Sequence, residues 1–160
     1  MRVLTRAVAD AGGAQVPVPM ARLEAFVASL RGVPEAYGGW TLARATIVAK
    51  GDHIVVAREA DREPLPELTL PPGAGALWDG RFWVAAAMSL DAPLGVRALG
   101  AHGVDAVRRR VAIPPAAPAG ALATLPSFWR GETLIAVPSL GYGEDGEAAL
   151  SATFRALQLR

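Results

Sequence analysis

The side chains able to do chemistry in this 160-residue chain are few and scattered. His53 and His102 lie far apart in sequence, with no third ligand at the spacing a zinc site requires. Neither a metalloprotease His-Glu-x-x-His helix, a Gly-x-x-x-x-Gly-Lys phosphate loop nor a Gly-x-Ser-x-Gly elbow occurs. The glycine pairs at 12–13 and 38–39 do not follow a strand and open a helix, as a nucleotide cradle would. The absence of cysteine removes disulfides, thiolate nucleophiles and zinc–thiolate sites, and makes the cytoplasm the default compartment. Acids crowd at Glu59 and Asp61, and at Glu144, Asp145 and Glu147, but in turn-rich polar sequence that reads as solvated charge. A catalytic carboxylate pair needs a pocket that raises one pKa. The expectation is therefore no catalytic residue, no metal and no cofactor.

What stands out instead is arginine. Of sixteen basic residues only Lys50 is a lysine. The chain is also rich in Ala, Gly and Pro, which share GC-rich codons with Arg, so base composition alone accounts for much of this. The sharper reading is that the planar guanidinium suits phosphate. Arg108-Arg109-Arg110 ends a short amphipathic helix, with Arg97 one short segment upstream. Three consecutive arginines cannot share a helix face, so some project to solvent. They serve either the negative end of the helix dipole or a phosphate backbone, and both readings stand. Arg81 and Arg130, at two turn tips, are second choices for contacts. A net charge of +1 argues against a generic nucleic-acid coat protein.

Aromatic residues offer the other surface for nucleic acid. Trp78, Phe82, Trp83, Phe128 and Trp129 could stack on unpaired bases. Their place inside apolar strand-like runs makes them core residues first. They belong to a unit written twice, Leu77-Trp78-Asp79-Gly80-Arg81-Phe82-Trp83-Val84 and Phe128-Trp129-Arg130-Gly131-Glu132-Thr133-Leu134-Ile135. Each is a Trp, a polar residue and a turn glycine before an apolar run, the signature of a hairpin. Pro138-Ser139-Leu140-Gly141-Tyr142 reads as a tight turn leaving a strand, structural before functional.

The elements that would carry these residues follow from periodicity. A hydrophobic content of 52% and a mean hydropathy of +0.29 favour a folded core, while no apolar run approaches the roughly 18 to 20 residues of a membrane span. Val3, Leu4, Ala7, Val8 and Ala11 share one helix face, stopped by Gly12-Gly13. A second helix is expected from Pro19 or Met20 to Arg31. Trp40–Ala49 and His53–Glu59 form a hairpin around Lys50-Gly51-Asp52, with Ile54-Val55-Val56 apolar enough for burial on both faces. Arg62–Gly75 carries prolines at 64, 66, 71 and 72 and reads as a linker. Beyond it come a hairpin over Ala76–Ala87, a short strand or loop at Gly95–Gly100, a helix over Gly103–Val111 and helical turns at Ala119–Leu125. Strands over Thr133–Val137 and Ala152–Leu157 complete the chain. The class is α+β: two small α/β blocks with mainly antiparallel hairpins and an N-terminal two-helix unit. The division is 1–62 (helical pair plus hairpin), 63–75 (Pro-rich linker) and 76–160 (α+β subdomain).

Read in order, Leu77–Phe82, Val96-Arg97-Ala98-Leu99-Gly100, Leu125-Pro126-Ser127-Phe128-Trp129 and Ala136–Tyr142 resemble the region after the catalytic domain of bacterial tRNA(Ile)-lysidine synthetase, of the alphaproteobacterial type. The two N-terminal helices and Gly38-Gly39-Trp40-Thr41-Leu42 fit the same region. In that family a PP-loop ATP pyrophosphatase domain adenylates the wobble cytidine of an isoleucine tRNA, and lysine displaces AMP to make lysidine. The family's Ser-Gly-Gly-x-Asp-Ser loop has no counterpart here, so the resemblance carries over no catalytic, ATP, magnesium or lysine-binding residue. It implies a non-catalytic accessory role in tRNA engagement, with tRNA and the PP-loop domain as partners, no membrane, and Arg97, Arg108, Arg109, Arg110, Arg81 and Arg130 as the contacts. The alternative is a protein-interaction or scaffold module whose Trp-rich hairpins pack on a partner or on a second copy of the chain.

Overall fold

The N-terminal apolar stripe winds into α1 (Arg2–Gly12), with Gly13 at φ 83 returning its N–H to the carbonyls of Ala9 and Asp10. It buries Val8 against Leu23 and Phe26 of α2 (Met20–Ser29). Phe26 in turn meets Trp40 edge-on at 5.6 Å between ring centres. The computed structural model describes residues 1–13, 17–29, 39–50, 53–60, 63–113, 117–143 and 149–155. The end of the second expected helix and the acids Asp61, Glu144, Asp145 and Glu147 lie outside these residues. The described residues make four helices and ten strands in three antiparallel sheets, an α+β fold.

The stretch expected as one strand over Trp40–Ala49 is two: β1 (Trp40–Leu42) and β2 (Ala45–Lys50), followed by β3 (His53–Arg58). The break falls at Ala43-Arg44, with φ of 49° and 65°. This is the doubly left-handed bend of a tight hairpin, and neither residue type advertises it. Left-handed backbone costs an L-residue about 1–2 kcal/mol. Local bonds offset this. Arg58, buried at the end of β3, donates to the carbonyl oxygens of Arg44 at 3.2 Å and Glu59 at 2.7 Å. The Glu59 N–H donates to the same Arg44 oxygen at 2.9 Å. In β3 Ile54 is exposed and Val55 and Val56 are only partly buried, so the expected burial of this run on both faces does not occur.

The chain divides into compact units between Arg62 and Glu63, the second running Glu63–Arg155. Residues 63–75 belong to this second unit, where β4 (Leu68–Leu70) replaces the expected linker character. The prolines at 64, 66, 71 and 72 flank this strand without entering it, and β4 is an edge, where proline is tolerated nearby. Trp78 Nε1 donates to the Pro66 carbonyl at 2.8 Å and ties the segment down. One sheet has the order β10-β6-β5, from β5 (Gly75–Trp78), β6 (Phe82–Ala86) and β10 (Leu150–Phe154). The other runs β4-β7-β8-β9, with β7 (Leu94–Ala98), β8 (Pro126–Arg130) and β9 (Thr133–Ala136). Their inner faces share one core, in which Trp78, Val84, Leu94, Val96 and Phe128 are essentially inaccessible. α3 (Gly100–Arg108) and α4 (Ala119–Ala123) bury Val104, Val107 and Leu122 with Leu99 and Val137 in a smaller cluster. α3 starts three residues before its expected Gly103, because Gly103 lies inside the helix against the Leu99 side chain. Among the described residues no helix is long and apolar enough to cross a membrane.

Candidate nucleic-acid interface

Strand alternation decides which side chains of the four-stranded sheet reach solvent. In β7, Leu94 and Val96 point into the core, so Gly95 and Arg97 face outward. In β8, Phe128 is inward and Trp129 outward. The register sets Thr69, Gly95 and Trp129 side by side across β4, β7 and β8, and Arg97 beside Ser127 in the next row. Gly95 leaves a gap between larger neighbours. The result is an open cleft of about 400 Å³ lined by Glu67, Thr69, Gly95, Arg97, Trp129 and Gly131, among others.

One wall of the cleft is a stacked pair. The Arg97 guanidinium carbon lies over the Trp129 ring, 4.2 Å from its centroid, at the spacing of a cation–π contact worth about 0.5–2 kcal/mol. The indole is held from behind. Trp129 Nε1 donates to Ser127 Oγ at 2.7 Å, and that hydroxyl donates to the Arg97 carbonyl at 2.8 Å. Arg97 thus fixes the ring at both face and edge. Its guanidinium also donates to Glu132 Oε2 at 3.1 Å, with the glutamate side chain 92% exposed and that of Arg97 30% exposed. A single contact to a carboxylate in water contributes little and yields readily.

Of the other arginines proposed from sequence, Arg108, Arg109 and Arg110 are all exposed where α3 ends, and none makes an ion pair among the described residues. Arg130 is exposed and reaches Asp91 Oδ1 at 3.1 Å. Arg81 does not fit the expectation. Although it follows a turn, it is buried, 2.7 Å from Asp79 Oδ2 and 2.6 Å from the Thr124 carbonyl, with Trp78 and Phe82 against its guanidinium. Asp79 and Gly80 take positive φ (49° and 67°) at the turn, and Arg81, the next residue, lies against the rings of Trp78 and Phe82 of its own hairpin. It is a structural residue, unavailable to a polynucleotide.

The aromatics divide in the same way. Trp78, Phe82 and Phe128 are core, as expected, whereas Trp83 is 51% exposed and Trp129 only partly buried. Trp83 sits between inward-facing Phe82 and Val84, so the two-residue period turns it outward. Sequence reasoning passed over Ser127, Glu132, Thr69 and Gly95 as site residues. The outward pair Gly95 and Arg97, alternating with Leu94 and Val96, was the one available signal. Ser139 and Tyr142 belong to a turn closed by hydrogen bonds between Val137 and Tyr142. Among the described residues no group of three His, Asp or Glu side chains could hold a metal. Compared with family models, curated proteins and solved structures, the chain matches none of them.

Proposed function

We propose that this chain is a non-catalytic RNA-engaging module of a cytoplasmic tRNA-modifying enzyme. It presents arginines to the polynucleotide and leaves bond-making to another domain. The observation that carries the reading is the Arg97–Trp129 stack beside an open cleft, a cation and an aromatic plane pre-positioned on a rigid sheet. Arg108, Arg109 and Arg110 add exposed charge for phosphate contacts. The resemblance to the post-catalytic region of tRNA(Ile)-lysidine synthetase supplies tRNA as the polynucleotide and a PP-loop domain as the catalytic neighbour.

The test is a titration of labelled total tRNA, with a homopolymer control, across a range of salt. Salt-dependent binding that weakens on Arg97→Ala supports the reading, and tRNA binding no tighter than an uncharged control overturns it. One observation favours a second reading, a protein-interaction module. Leu77 and Trp83, direct neighbours across β5 and β6, are 40% and 51% exposed. Sedimentation of the wild type and of Trp83→Ser would show it as self-association lost on substitution.

A further inference from the structure

Gly95 occupies the interior of β7 without a local reason to be glycine. Its backbone is not left-handed, and an added Cβ would meet nothing nearer than the Trp129 carbonyl oxygen at 3.7 Å. A strand glycine marks a bulge, a bend or a close approach to the backbone. Here the bulge at Phe128-Trp129 falls in the pairing of β8 with β9, while β7 pairs with β8 in regular register, which leaves close approach. We infer that the cleft over Gly95 receives a single unpaired nucleobase, guanine in preference to uracil, stacked on the Arg97–Trp129 pair. The inference rests on the RNA reading above and names the group that enters this site.

Three features of the cleft select that ligand. The first is flatness. Arg97 covers one face of the Trp129 ring, and its guanidinium offers its own plane on which a base can continue the stack. The second is size. About 400 Å³ lies at the low end of the roughly 300–1,000 Å³ of small-ligand sites, room for one nucleotide and too little for a helix. The cleft also lies over the face of the sheet, whereas the free backbone groups of the edge strand β4 point outward in the plane of the sheet, so an extended peptide paired there would lie beside the cleft and not in it.

The third feature is the opposite wall. Glu67 directly precedes β4, and continuing the Leu68–Val96 register places it opposite Arg97, with Thr69 next on the same face. Both are exposed. An ionised carboxylate only accepts hydrogen bonds. Guanine presents two donors side by side, N1–H and the N2 amine, to match its two oxygens. Adenine and cytosine present one exocyclic amine, while the N3–H of uracil is flanked by carbonyl oxygens that repel a carboxylate. Thr69, donor and acceptor at once, accommodates the neighbouring O6 or N7.

The experiment uses short labelled RNA single strands, all-uridine or with one central guanosine, titrated by fluorescence anisotropy at several salt concentrations. Wild-type protein should bind the guanosine strand about tenfold tighter, within the discrimination of one bidentate base contact. Glu67→Gln should abolish that ratio. Gly95→Val, which alters no charge, should weaken the guanosine strand about tenfold and leave the salt slope unchanged. Circular dichroism melts report whether the variants fold, and the exposed Glu67 keeps the test decisive if Gly95→Val does not. Equal affinity for the two strands, or a guanosine preference that survives both substitutions, overturns the inference while salt-dependent RNA binding stands. If neither strand nor tRNA binds, the RNA reading falls and the inference with it.

Discussion

Asp79 and Arg81 form a 2.7 Å ion pair with side chains 1% and 5% exposed, sealed beneath the first of two hairpins that share a Trp, a polar residue and a glycine. The second hairpin carries the same charges in the opposite order, Arg130 before the glycine and Glu132 after it, and both face solvent. There the partners come from elsewhere, Asp91 for Arg130 and Arg97 for Glu132. One repeated phrase therefore yields an interior clamp in one sheet and a displayed cation in the other.

Removing Arg81 leaves a buried carboxylate behind. Breaking such a pair from one side costs about 3–5 kcal/mol, so Arg81→Met should lower the denaturant midpoint sharply. Adding Asp79→Asn should recover part of the loss, because the carboxylate that lost its 2.7 Å guanidinium partner is then gone. A double variant as unstable as the sum of the two single variants would show that the two side chains act independently. RNA binding by whatever fraction stays folded should keep the wild-type salt slope.

Arg108, Arg109 and Arg110 invite the opposite result. Exposed substitutions change stability by about 0.5 kcal/mol or less each, so the triple alanine variant should melt close to wild type. Its plot of log affinity against log salt should flatten, by up to about 0.7 per lost phosphate contact on single strands and 0.9 on duplex. An unchanged slope would remove this helix end from the interface.

If Arg97 meets RNA as proposed, Glu132, 3.1 Å from its guanidinium, is the group that a phosphate must displace. An exposed pair contributes about 0–1 kcal/mol, so Glu132→Gln should leave the melting curve in place and raise RNA affinity several-fold. Glu24→Gln on α2 makes the same change in net charge at an exposed position of the first unit. Equal gains from the two variants would mean that only overall charge is sensed.

The first unit has its own sensitive point at Gly12. A Cβ there would collide with the Ala43 carbonyl oxygen, backbone against backbone. Overpacking of this kind costs about 1–3 kcal/mol. Gly12→Ala should reduce amide-exchange protection at Ile47 and Val56 while Val96 and Phe128 keep theirs. Loss of protection in both units together would show that they unfold as one.

Local pattern made much of this architecture readable. The apolar spacing from Val3 to Ala11 specifies α1, and the Trp and Gly pairs specify two hairpins. Several departures from the sequence pattern involve partners remote in sequence. Nothing near Ala43-Arg44 reports a turn that Arg58 stabilises from the far strand. Arg81 is buried because Thr124 offers it a carbonyl from α4's end, which no local window contains. The cleft draws Glu67, Gly95 and Trp129 from three separated segments, so no motif could announce it. Trp83 is different: its exposure was written in the alternation Phe82-Trp83-Val84, masked by the weight of so many apolar neighbours.

The bend at Ala43-Arg44 leaves the first unit below the stability ceiling its backbone permits. It asks two residues with ordinary side chains to hold a conformation for which asparagine and glycine are better suited. Ala43 is partly buried and packs against the first unit's core, so Ala43→Asn exchanges a small apolar contact for a relaxed bend and should gain up to about 0.5 kcal/mol. This hairpin therefore holds slack that selection, or an engineer, can take up with one codon.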